Sequence, residues 1–61
     1  MAYANDTIAY ILNLLNRAET ALSKDEEREY LTTALNYAQK ITDTYQRKNY
    51  ISYIQEKLRK L

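Results

Sequence analysis

The sequence predicts an all-α protein, a small antiparallel three-helix bundle, and three observations carry that prediction. The chain has 61 residues with no Gly, Pro, Cys, His, Val, Phe or Trp. Its apolar set is five Ile, eight Leu, seven Ala, seven Tyr and Met1, a palette of helix formers lacking the Val common in strands. Its apolar residues also recur at helical spacing in three stretches separated by polar runs.

Ile8, Ile11, Leu12, Leu15, Ala18 and Leu22 share one helix face, widened by Leu14 and Ala21. They predict a first helix over residues 5–22, with Asn5, Asp6 and Thr7 able to accept from the unpaired amides of its first turn. Ser23 and Glu26 then stand at capping-box spacing, the hydroxyl bonding forward and the carboxylate back. The turn therefore lies within residues 23–25, and a link this short makes the next helix antiparallel.

Leu31, Ala34, Leu35, Ala38, Ile41 and Tyr45 predict a second helix over residues 25–45. In a continuing helix, Ile51, Ile54, Leu58 and Leu61 would point to the opposite side at 100° per residue, so the chain is expected to break. Gln46, Arg47, Lys48 and Asn49 mark where the stripe changes sides, and Asn49 suits a turn or a cap. A third helix over residues 49–60 follows. The alternative is one unbroken second helix in a hairpin that dimerises into a four-helix bundle. Tyr10, Ile11 and Leu14 recur as Tyr50, Ile51 and Ile54, a match that a shared helix face explains. The expected core is Leu12, Leu15, Leu31, Leu35, Ile41, Ile54 and Leu58.

A single domain of this size buries only about 60% of its unfolded surface, and disulfides and ordinary zinc sites are unavailable to it. No cofactor or metal is expected. Neither is catalysis, because the pattern offers no His, Cys or Gly-rich phosphate loop, and the carboxylates Asp25, Glu26, Glu27 and Glu29 fan out around a helix. The apolar run at residues 8–15 is too short to span a membrane, and a cytoplasmic location is expected.

Charge is uneven. Residues 1–39 hold three bases against six acids, and residues 40–61 hold six bases against two acids. Acids at the start of helix two and bases at the end of helix three suit the helix dipoles, and antiparallel packing is expected to bring those ends face to face.

These features predict a small protein–protein interaction module, a regulator or an assembly adaptor, with self-association an open option. Tyr3 and Tyr10, and Tyr30 and Tyr37, are each one heptad apart and form the candidate partner surface, because Tyr offers large contact area at low entropic cost. The alternative is a nucleic-acid binder in which Gln46, Arg47, Lys48, Asn49 and Tyr50 supply donors from the start of helix three.

Overall fold

The computed structural model describes residues 3–61, with side chains from Asp6 onward. Three helices make up the bundle: α1 Tyr3–Glu19, α2 Lys24–Ala38 and α3 Thr44–Arg59. Helix α1 packs on α2 and α2 on α3, whereas among the described residues no Cα of α1 lies within 8 Å of a Cα of α3. The middle helix is therefore a shared wall, and the bundle stays open on its third side.

The first turn follows the expected chemistry with one change of partner. Ser23 Oγ accepts from Glu26 N at 3.1 Å, and Glu26 Oε1 accepts from Leu22 N at 3.0 Å, one residue earlier than in the usual reciprocal box. Helix α1 ends at Glu19, three residues before the expected boundary. There the Thr20 hydroxyl can donate back to the Asn16 or Arg17 carbonyl, and Leu22 is left 96% exposed in the turn.

The second turn lies earlier than the sequence reading placed it. Helix α2 stops at Ala38 and not near residue 45, and α3 starts at Thr44 and not at 49. Asp43 is the N-cap, its carboxylate accepting from Tyr45 N at 3.2 Å, while Asn49 is exposed inside α3. The unbroken second helix of the hairpin alternative is accordingly absent. No residue here needs glycine, because no described residue has positive φ. The helices instead close with tightened i→i+3 bonds, Ala21 N to Ala18 O, Ile41 N to Ala38 O, and Leu61 N to Leu58 O.

Those closures fall 20 residues apart, and so do the caps Ser23 and Asp43. The same interval links Ile11 with Leu31, and Leu14 with Ala34 and Ile54, all buried. A 20-residue helix-and-turn unit thus organises the chain, with the recurrence of 40 residues as its double.

The buried core is Ile11, Leu14, Ala18, Leu31, Ala34, Ala38, Ile41 and Ile54. Ala34 and Ala38, both 0% exposed, leave room for the neighbouring helices to approach α2 closely. Of the expected core, Leu31, Ile41 and Ile54 are buried, and Leu15, Leu35 and Leu58 are half-buried against the cluster. Leu12 is a correction. It is 50% exposed, because it sits on the side of α1 that faces the open edge. Tyr45, read as the last residue of the second helix's stripe, is 74% exposed because it lies in the first turn of α3 and not on α2.

The acidic start of α2 and the basic end of α3 do come together, with Glu27 and Lys57 lining one small hollow, but the ion pair that forms there is with α1. Lys57 of α3 pairs with Glu19 of α1 at 3.3 Å, across the open side. Among the described residues the other ion pairs are local: Arg28 with Asp25, and both Arg59 and Lys60 with Glu56.

Candidate functional site

The open side of the bundle is a groove of about 640 Å³ between α1 and α3. Leu12, Leu15 and Asn16 form one wall, and Asn49, Tyr50 and Tyr53 form the other. Glu19 closes one end through its bond to Lys57 Nζ. Helical spacing accounts for both walls. Residues 12, 15, 16 and 19 share one face of α1, and residues 49, 50 and 53 share one face of α3.

The apolar stripe of α1, from Leu14 round to Leu12, is about 160° wide at 100° per residue. A single neighbouring helix covers less than that. Helix α2 takes the side centred on Ile11, Leu14 and Ala18, which leaves Leu12 and part of Leu15 facing the groove. On the opposite wall Tyr53 is 48% exposed, and Tyr50 rests half-buried against the core.

Electrostatically the groove is quiet. Its one lining carboxylate is neutralised by Lys57, whose ammonium also lies 5.4 Å from the Tyr53 ring centroid. The hydrogen bond to Glu19, followed by the influence of Tyr53, raises the Lys57 pKa above its ordinary value. Lys57 is thus held charged, and its bridge joins the two walls at that end.

Of the tyrosines expected to form a partner surface, Tyr10, Tyr30 and Tyr37 lie outside this groove. Tyr10 and Tyr37 meet edge-on, with ring centroids 4.7 Å apart and planes at 79°, a contact between α1 and α2 on which Lys40 places its ammonium 5.0 Å from the Tyr37 ring centroid. Tyr30 is half-buried against the core. The side chain of Tyr3 lies outside the described residues. The tyrosines that line the groove are Tyr50 and Tyr53.

The five residues of the nucleic-acid alternative also divide. Arg47 Nη1 donates to the Ile41 carbonyl at 2.8 Å, and Nη2 donates to Thr44 Oγ1 at 3.4 Å, so this guanidinium binds the chain's own turn. Gln46 and Lys48 are exposed, and Asn49 and Tyr50 belong to the groove.

Among the described residues there is no cluster of three or more His, Cys, Asp or Glu able to hold a metal ion, and no helix long and apolar enough to cross a membrane. No protein family, curated protein or solved structure matches the chain.

Proposed function

We propose that this protein is a helical protein–protein interaction module, a regulator or assembly adaptor, and that it binds through the groove between α1 and α3. One observation carries the reading: an apolar, tyrosine-lined hollow lies open along the bundle where a third helix–helix contact would otherwise be. Half-exposed Leu12 and Tyr53 give it the large apolar and aromatic contacts on which binding energy concentrates. Asn16 and Asn49 supply the polar groups that orient a partner. A helix laid into such a groove would meet anchors spaced at i, i+3 and i+4.

Photo-crosslinking tests the proposal. A crosslinking residue at position 12 in the groove is compared, in cell extract, with the same residue at position 42 in the exposed second turn. Adducts from position 12 and none from position 42 are expected. Equal yields from both positions, or no adduct from position 12, would overturn the reading.

A further inference from the structure

We infer that the groove also takes a small molecule: an uncharged, flat aromatic body about 8 Å long with a hydrogen-bonding group at each end. The inference goes beyond protein binding, and such a ligand would compete with a protein partner for the same hollow.

The order of the lining residues carries it. Helices α1 and α3 each run antiparallel to α2 and so parallel to one another. The Glu19–Lys57 bond joins residues 38 apart in sequence, which puts Asn49 about level with Ile11, Tyr50 with Leu12, Tyr53 with Leu15, and Asn16 with Ile54. Along the groove the walls therefore present an amide, then two facing Leu–Tyr pairs, then a second amide, before the ion pair closes the end. At about 1.5 Å of rise per residue, the two amides stand about 8 Å apart along the axis.

Each part of that order selects a property of the ligand. The Leu and Tyr walls suit a flat apolar ring system, because aromatic rings gain most when stacked or met edge-on. The amides suit neutral polar ends, since Asn offers both a donor and an acceptor. Neither amide is spent within the chain. Asn13 Oδ1 accepts from Arg17 Nε at 2.9 Å, whereas among the described residues the Asn16 and Asn49 side chains hold no such bond. A charged ligand would find no counterion, as the one lining carboxylate, Glu19, is paired with Lys57. Size agrees as well. The volume of about 640 Å³ lies within the roughly 300–1,000 Å³ of small-molecule sites, which are mostly apolar with a few placed polar groups.

Titration of the isotope-labelled chain at neutral pH, followed by amide NMR, tests the inference with three probes: 2,6-dihydroxynaphthalene, 2-naphthol and 6-hydroxy-2-naphthoate. The diol should bind saturably, shifting the signals of Leu12, Asn16, Asn49 and Tyr53, with a Kd of about 2 mM or tighter. 2-Naphthol, with one polar end, and the naphthoate, with a charged end, should each bind at least about 5-fold more weakly. Asn49→Leu, at an exposed position that leaves the core untouched, should bring the diol down to the affinity of 2-naphthol. Leu12→Asp should weaken all three while circular dichroism shows helicity retained, and Tyr45→Ser, outside the groove, should change nothing. No saturable shift at these residues, or equal affinity for the three probes, would overturn the inference. The crosslinker at position 12 separates the two readings. A chain that captures proteins there but binds no probe keeps the interaction module and loses the ligand, whereas one that binds the diol and captures nothing keeps the ligand and loses the module.

Discussion

Arg47 ties the second turn to the third helix, its Nη1 donating to the Ile41 carbonyl at 2.8 Å. The bond spans six residues and satisfies a carbonyl just beyond the end of α2. It also holds in place the segment that carries Ile41, 1% exposed, into the core. Arg47→Ala should therefore lower stability by roughly 1 kcal/mol. A shift of the urea midpoint at constant slope is the expected signature, and an unchanged midpoint would show that water replaces the guanidinium without loss.

The position of the second turn makes a paired prediction. Asp43→Ala removes the N-cap of α3 and should cost about 1 kcal/mol. Asn49→Ala, in the interior of that helix and exposed, should be neutral or stabilising by a few tenths of a kcal/mol, because Ala is the better helix former. Thermal melts of both variants check the contrast; the opposite order would move the break back toward Asn49.

Core and rim should separate just as clearly. Ile54, fully buried, should cost about 2–5 kcal/mol on truncation to Ala, enough to unfold much of so small a domain. Leu12→Ala should cost less than about 1 kcal/mol in the monomer, as expected for a half-exposed side chain that buries little area. Denaturation at low protein concentration measures both without a contribution from association.

The Glu19–Lys57 bridge predicts a dependence on alkaline pH. The folded state raises the Lys57 pKa above 10.5, so it holds this proton more tightly than the unfolded chain does. The resulting stabilisation is fully present below the unfolded value and is lost as pH rises through the folded one. Lys57→Met should abolish that part of the alkaline loss, while ionisation of the tyrosines remains common to both proteins. Subtracting the two stability–pH curves isolates the bridge, and a difference that stays flat from neutral pH to pH values above 10.5 would show that it contributes nothing.

Helix class and the first turn were legible because Ser23 and Glu26 act through local bonds that need no tertiary context. The second turn was misplaced because Ile41 continues the periodicity of α2 although it lies beyond the helix end. Its side chain reaches the core from a non-helical position, and Tyr45 falls in register while pointing to solvent. A usable signal was nevertheless present, since Asp43 and Gln46 repeat the cap spacing of Ser23 and Glu26 20 residues later. The groove was harder to foresee. The wide stripe of α1 signals more apolar surface than one neighbour can cover, but only the separation of α1 from α3 leaves that surplus open.

Apart from the Glu19–Lys57 bridge at one end, helices α1 and α3 lean on α2 and not on one another, so along most of its length the width of the hollow follows from two seams in series. A bulkier side chain at Ala34 or Ala38 would act like a shim beneath a hinge leaf, changing the gauge of the opening without altering any residue that lines it.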